Sequence, residues 1–366
     1  MTKRNILSLH VAATTVLILT LSSVASAKDD GHAECMVALE DAMVRLAAER
    51  IDSVFGAVAA STRALGDTYA RLAAAQGSQT PSDAKRWLTL RTTQGRTTGL
   101  QSWPGDLKTP PAYQAPYPGY YSYTGEALSN AVLRQLDLFD RLAPTFRTVY
   151  ESFPFSWVYM TTVDNAMLIY PYLPIDQAVN NGTPTETPYY RAADFGSRAV
   201  GWTPPYLDLV GAGMMITASY PVYDGESLLG VMSHDITLKE LASSVLSHLA
   251  DVDSSSALIV DGKGLAIDTT DTELDAEIDR VNSKTGDAVL YYRTAEGIEE
   301  LGTRNAFASR ATQVNTLVEQ VLEKARSGED TVRFDLEDQH VLAARIERTG
   351  WFVVLIRPRV TCASVP

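Results

Sequence analysis

One stretch of this chain constrains its fold more than any other. Residues ~32 to 75 contain no proline and are rich in alanine. They place Met36, Leu39, Met43, Leu46, Ile51, Val54, Val58 and Leu65 mostly three to five residues apart. That is the period of one helix face, and alanine is the strongest helix former. The spacing therefore predicts a single long helix near the N-terminus, and the rest of the chain must be built along it.

What precedes that helix reads as an export signal. Lys3 and Arg4 open the chain, an apolar stretch runs from Ile6 to Leu21, and Ala25-Ser26-Ala27 offers the small-x-small pattern of a cleavage site. Cleavage after Ala27 moves the net charge from −13 to −15, because the removed segment holds two cations and no acid. The alternative is an uncleaved anchor made of residues 6–27. A span needs ~20 mostly apolar residues, and here Thr and Ser interrupt the stretch. The expected location is periplasmic or secreted, with an inner-membrane anchor as the alternative. An acidic balance of 44 Asp+Glu against 31 Lys+Arg excludes nucleic acid as the main partner, since phosphate backbones need clustered cations. Two cysteines exclude a Cys-rich metal site or a disulfide-dense small scaffold.

Beyond the helix the periodicity changes. Residues 76–123 read as a short helical piece near Ser82–Thr92 followed by a loop, with Pro104, Pro110, Pro111, Pro116 and Pro118 set among Tyr113, Tyr117, Tyr120, Tyr121 and Tyr123. A second helix fits Gly125 to about Leu142, and Pro144 breaks it or starts a short further piece. Ser156–Thr162 and Ala166–Tyr170 flank a hairpin turn, and Met214–Tyr223 and Ser227–Ile236 flank Asp224-Gly225, the stronger hairpin signal. A helix follows from Leu238 to about Leu249. The pattern then recurs: Ala257–Val260 and Ala266–Asp268 around Asp261-Gly262-Lys263-Gly264, a helix from about Phe307 to Arg326, and alternating strands at Thr331–Leu336, Val341–Arg345 and Trp351–Ile356. The expected fold is α+β: a long N-terminal helix (28–75), then two tandem modules (76–237 and 238–358), each a mainly antiparallel sheet flanked by helices, and a tail (359–366).

Within that frame, Trp202-Thr203-Pro204-Pro205-Tyr206-Leu207-Asp208 leads into Met214–Asp224, the Asp224-Gly225 turn, and a strand ending Gly230-Val231-Met232-Ser233-His234-Asp235-Ile236-Thr237-Leu238. The segment resembles the double Cache (dCache) sensor family of bacterial chemoreceptors and sensor kinases. There an aromatic-Pro-Tyr loop precedes a Pro-Val strand, and a Gly-Val strand ends in Asp-Ile-x-Leu. The resemblance implies PAS-like modules and an extracytoplasmic sensor whose membrane-distal module binds a small molecule, with a possible membrane signalling partner and no catalysis. The amino-acid-binding branch of the family uses an Arg-x-Trp-Tyr motif, a loop Tyr and the strand-end Asp. Tyr190, Tyr206 and Asp235 match the Tyr, the loop Tyr and the Asp. The Arg and Trp positions hold Thr187 and Tyr189, so the carboxylate-gripping half is missing. The resembled architecture also brings both chain ends to one side, which implies a Cys35–Cys362 disulfide; two free thiols are the alternative.

The residues themselves support the same focus. Asp235 ends an apolar strand, and a desolvated carboxylate needs a cation or donors. A ligand ammonium, a helix cap, or an ion pair to Arg191 or Arg198 would each serve. Tyr189, Tyr190, Trp202 and Tyr206 lie close in sequence, and ring faces attract a cation by ~0.5–2 kcal/mol each; core packing is the other use of such rings. Arg191, one helical turn after Thr187, would restore a carboxylate grip or pair with Asp194. His234 and Asp235 are strand neighbours and point to opposite faces, so they form no dyad. No cofactor motif, metal-ligand spacing or nucleophile motif is present; Asp251-x-Asp253-x-Ser255 fails as a calcium loop because Ser256 and Gly262 occupy its Gly and Glu positions. The candidate ligand set is Tyr189, Tyr190, Arg191, Trp202, Tyr206 and Asp235.

Overall fold

The computed structural model describes residues 29–359 except 82–83, 90, 95–96, 101–110, 124–127, 154, 156, 179–181, 209–212, 247–248, 250–254, 284–287 and 304. The export segment and Cys362 fall outside the described residues. Cys35 lies within a helix, but its side chain is not among those described. The chain divides into two compact units, Met1–Met43 and Val44–Pro366. In the first, residues from Asp29 onward are helical; the packing and the site described below belong to the second.

The long helix α1 covers Asp29–Gln76. After it come α2 (Ala84–Thr89), β1 (Arg91–Gln94), β2 (Thr97–Leu100), β3 (Gly119–Ser122), α3 (Asn130–Ser152), β4 (Val158–Thr162), β5 (Ala166–Tyr170), α4 (Ile175–Ala178), α5 (Pro188–Arg191), β6 (Gly201–Trp202), β7 (Tyr206–Leu207), β8 (Met214–Asp224) and β9 (Ser227–Thr237). Their strands make one nine-stranded sheet ordered β1-β2-β3-β5-β4-β9-β8-β6, with β7 also on β8, and every pairing is antiparallel. Then come α6 (Leu238–Leu246), β10 (Ser256–Val260), β11 (Ala266–Thr269), α7 (Thr272–Asn282), β12 (Val289–Tyr291), α8 (Ala295–Leu301), β13 (Ala306–Ala308), α9 (Thr312–Arg326), β14 (Thr331–Leu336), β15 (Gln339–Ile346) and β16 (Trp351–Pro358). They supply a five-stranded sheet ordered β11-β10-β16-β15-β14 and a parallel β12-β13 pair. The α+β class is thus the observed one.

Each face of the large sheet has its own cover, because alternate strand residues point to opposite sides. On the helix face, Val158, Met160, Leu168 and Met232 pack with Leu136, Phe139, Leu142 and Phe146 of α3 and Leu65 and Tyr69 of α1. Burial of such side chains stabilises by ~1.5–3 kcal/mol each. α1 also ties the two sheets together. Phe55 meets Trp202 at 5.2 Å and Trp351 at 5.6 Å between ring centroids, and Asp52 pairs with Arg348 at 3.2 Å.

Three expectations are corrected. The stretch read as loop after Thr92 contributes strands β2 and β3, and Arg91–Gln94 is strand β1 rather than the end of a helix; Thr-rich and Tyr-rich tetrapeptides suffice on the edge of a sheet. α3 starts later than expected, capped by the Ser129 hydroxyl accepting from the Val132 N–H at 3.2 Å, and it runs through Pro144 to Ser152. Pro144 removes one helical donor, and the buried Leu142 and Phe146 on either side hold the turn in place. The helix expected from Phe307 starts only at Thr312, after the short β13.

Candidate functional site

The opposite face of the large sheet differs in chemistry. Tyr159 stands opposite Ser233, Thr161 opposite Val231, Ser219 opposite Ser233 and Thr217 opposite Asp235. Directly opposed residues share a face, so these hydroxyls and one carboxylate line a single surface across β4, β9 and β8. Rings complete it: Tyr121, Trp157 and Tyr159 are buried there with Met167, Ile169, Leu173 and Met215, and Tyr123, Tyr189 and Tyr206 pack on them.

Asp235 is the floor of this surface, with 4% of its area exposed. The Tyr159 hydroxyl donates to its Oδ1 at 3.0 Å and the Thr217 hydroxyl donates to the same oxygen at 2.7 Å. The Tyr206 hydroxyl lies 2.7 Å from Thr217 Oγ1. Thr217 has one hydroxyl proton, and with that given to Asp235, Tyr206 donates in turn to Thr217. Tyr206, Thr217 and Asp235 therefore form a donor chain that ends on the carboxylate. Oδ2 takes no hydrogen bond among the described residues. Burial pushes the Asp235 carboxyl up to about 7; the Thr217 and Tyr159 hydroxyls oppose that shift, and the charge of Asp208 adds to it. Burial also raises the phenols of Tyr159 and Tyr206 well above their ordinary range and Tyr189 to about 12, so all three stay protonated donors.

A short segment covers the site. α5 carries Tyr189, whose ring meets Tyr159 edge-on at 5.2 Å and 85°, and the Ser219 hydroxyl donates to the Tyr189 carbonyl at 2.6 Å. Thr203 is stitched to the site strand by two bonds: its N–H to the Thr217 carbonyl at 3.1 Å, and the Thr217 N–H to its hydroxyl at 2.9 Å. Gly201 makes this closeness possible, since a Cβ there would lie 1.8 Å from the Ala192 carbonyl oxygen.

The structure brings Tyr189, Tyr206 and Asp235 together. Tyr190 is buried with Ala193, Val231 and Phe195, further along the strand. Arg191 is exposed at the end of α5, and Asp194 accepts the Ser197 N–H at 2.9 Å. Arg198 engages Glu226 and the Tyr223 ring. Trp202 lies on the other side of the sheet. It pairs with Ala218, whose side chain faces away from Thr217, and it packs on Phe55. His234 also faces away: it is buried with a pKa lowered to about 4 by desolvation, near the Phe153 carbonyl. The sequence reading missed Tyr159, Thr217 and Asp208. Thr217 comes opposite Asp235 only through the register shift between Val222 and Tyr223, which the sequence does not announce. Among the described residues no group of three His, Cys, Asp or Glu could hold a metal ion, and no helix is long and apolar enough to cross a membrane.

Residues 145–243, which contain β4 to β9, match the family described as methyl-accepting chemotaxis protein-like, first PDC sensor domain. The methyl-accepting chemotaxis protein McpC of Bacillus subtilis is 28% identical over 159 residues, covering 40% of this chain and 24% of McpC; the match thus spans about a quarter of that relative's length. Similar solved structures include the sensory domain of the Campylobacter jejuni chemoreceptor Tlp3 with isoleucine bound, at 14% identity and a TM-score of 0.48, covering 89% of this chain and 93% of that one. The ligand-binding domain of the Pseudomonas aeruginosa chemoreceptor PctC in complex with GABA has 14% identity and a TM-score of 0.44, covering 87% and 97%. Over residues 145–243, this chain is thus similar to the first PDC sensor domain of methyl-accepting chemotaxis protein-like receptors.

Proposed function

We propose that this sensor domain is an extracytoplasmic receptor for a small protonated amine, held at Asp235 and acting without catalysis. The observation that carries the proposal is the carboxylate itself. It is buried, it is served by two neutral hydroxyls, and its second oxygen has no hydrogen bond among the described residues. A buried charge of this kind is stable only with a counter-charge. A ligand ammonium supplies one, and the rings of Tyr159, Tyr189 and Tyr206 suit the same cation. The 76–237 half then holds the ligand and the 238–358 half is the structural partner nearer the membrane, with a membrane signalling protein as the recipient of the ligand-bound state. A Cys35–Cys362 bond would fasten the two ends in an oxidising compartment.

Calorimetry on the exported protein tests this with phenethylamine, tetramethylammonium and glycine as probes. Binding of at least one of them, lost in Asp235→Ala, is the expected outcome. Equal binding by wild type and Asp235→Ala, or no heat with any cation, removes the proposal.

A further inference from the structure

Four polar atoms on the surface around Asp235 have no hydrogen-bond partner among the described residues. They are the Tyr121 hydroxyl, Trp157 Nε1, Thr161 Oγ1 and Ser233 Oγ, each fully shielded from solvent, on residues 3%, 2%, 0% and 0% exposed. Buried polar groups are nearly always satisfied, and leaving one orphaned costs ~1–3 kcal/mol. These four are not scattered. Ser233 is two residues from Asp235 on β9 and on its face, which places it about 7 Å along the strand. Thr161 opposes Val231 on β4, diagonal to Ser233. Tyr121 opposes Met167, the next residue in that row, and its hydroxyl leans over Gly119, where a Cβ would lie 2.7 Å from it. The Trp157 carbonyl accepts the Asp235 N–H at 2.8 Å, and its ring is buried on the same face with Tyr121 and Tyr159.

The chemistry of the four is uniform. Three are hydroxyls, which donate or accept, and the indole N–H only donates. None carries charge, and among the described residues β3, β4, β5, β8 and β9 direct no Lys or Arg onto this face. A second carboxylate here would sit beside Asp235, within reach of the Asp208 charge, with no cation to offset it. An uncharged acceptor meets the four groups at no such electrostatic penalty.

Resting on the amine reading above, we propose that the ligand's other end is an uncharged hydrogen-bonding group, an amide, alcohol or ring carbonyl, read by Ser233, Thr161, Tyr121 and Trp157. The ligand class is then the neutral-ended amine, distinct from the α- and ω-amino acids whose carboxylate needs an arginine.

Calorimetry with three probes of matched length tests this: 4-aminobutanamide, 4-aminobutanoate and pentylamine. The amide is expected to bind about tenfold or more tighter than either of the others, the worth of one or two well-made hydrogen bonds. Ser233→Ala and Thr161→Val are expected to abolish that preference while leaving pentylamine affinity unchanged, and Asp235→Asn to weaken the amide and pentylamine together. Thr161→Val keeps side-chain shape and Ser233→Ala removes only the orphaned oxygen, and both are expected to raise the melting temperature of the ligand-free protein. If Ser233→Ala and Thr161→Val raise that temperature but keep the amide preference, the hydroxyls are structural and the inference fails while the Asp235 site stands. If 4-aminobutanoate binds as tightly as the amide, the neutral-end reading fails. If none of the three binds at millimolar concentration while phenethylamine or tetramethylammonium does, this inference fails and the Asp235 site stands; if no cation binds at all, the amine reading and this inference fall together.

Discussion

The two sheets of this protein bury their covered faces in opposite ways. On the five-stranded sheet, Leu258, Val260, Val341, Ala343, Phe352, Val354 and Ile356 meet Leu274, Ile278, Val281, Leu317, Val318 and Val321 from α7 and α9. Apolar meets apolar, with the rings of Phe352 and Tyr292 buried among the aliphatic side chains, and the space is filled as a core is filled. On the nine-stranded sheet the corresponding surface holds Tyr159, Thr161, Thr217, Ser233 and Asp235 beneath an aromatic cover. A filled face contributes stability through area removed from water. A face with a desolvated acid and orphaned hydroxyls costs stability, and such a cost marks a surface shaped for something other than holding the fold together. The same kind of scaffold is thus filled as a core in one half and, on the function proposed above, serves as a receptor in the other.

Three variants and one pH series break or sharpen that contrast. The largest effect is expected from Val354→Asp, which plants an unpaired carboxylate on the filled sheet at a fully buried position between Leu258 and Ala343. The loss should be about 4 kcal/mol or more, seen by circular dichroism as a collapse of the thermal transition; an unchanged melting temperature would mean that this face is open as well. Next is the reverse experiment, Asp235→Asn. The folded-state carboxyl lies at about 7 against an ordinary 3.8. Between those values the folded protein holds a proton that the unfolded chain has released, so stability falls as pH rises through the window and stays low above it. In ligand-free protein at about pH 8 the Asn variant should be more stable by up to about 3 kcal/mol, and near pH 4 the gain should vanish.

Third, amine affinity should fall about tenfold per unit as pH drops below about 7, because a protonated Asp235 offers no charge to the cation. Calorimetry at a series of pH values measures this, and a flat profile would disconnect Asp235 from binding. The smallest effect is expected from Ser219→Ala. It deletes the hydroxyl that holds the Tyr189 carbonyl, at about 1 kcal/mol. Amide hydrogen exchange should quicken around α5 and stay unchanged in β10 and β16.

How far the sequence reveals this arrangement varies by element. α1 was legible because its apolar spacing is long and free of proline, and the two hairpins were legible from Asp224-Gly225 and the alternation around it. Asp235 and Tyr206 were legible through the family resemblance. Thr217 was hidden by a bulge. Counted back from the turn pairs Asp224–Ser227 and Tyr223–Leu228, Asp235 would oppose Ile216; the register shift between Val222 and Tyr223 moves its partner to Thr217. The face of Trp202 is unreadable in the sequence for a related reason. A two-residue strand has no readable alternation, so its face is decided by pairing with Ala218 rather than by its own pattern. Tyr159 was hidden because a strand buried on both faces shows no alternation at all.

The carbon-13 resonance of the Asp235 carboxyl, followed through pH with and without 4-aminobutanamide, bears most directly on the receptor face. In free protein the group should titrate near 7, and saturating amine should move the transition down by about two units or more, as a cation at hydrogen-bond distance does to a carboxylate. A transition that stays at the same pH when amine is added would show that this acid meets no ligand cation.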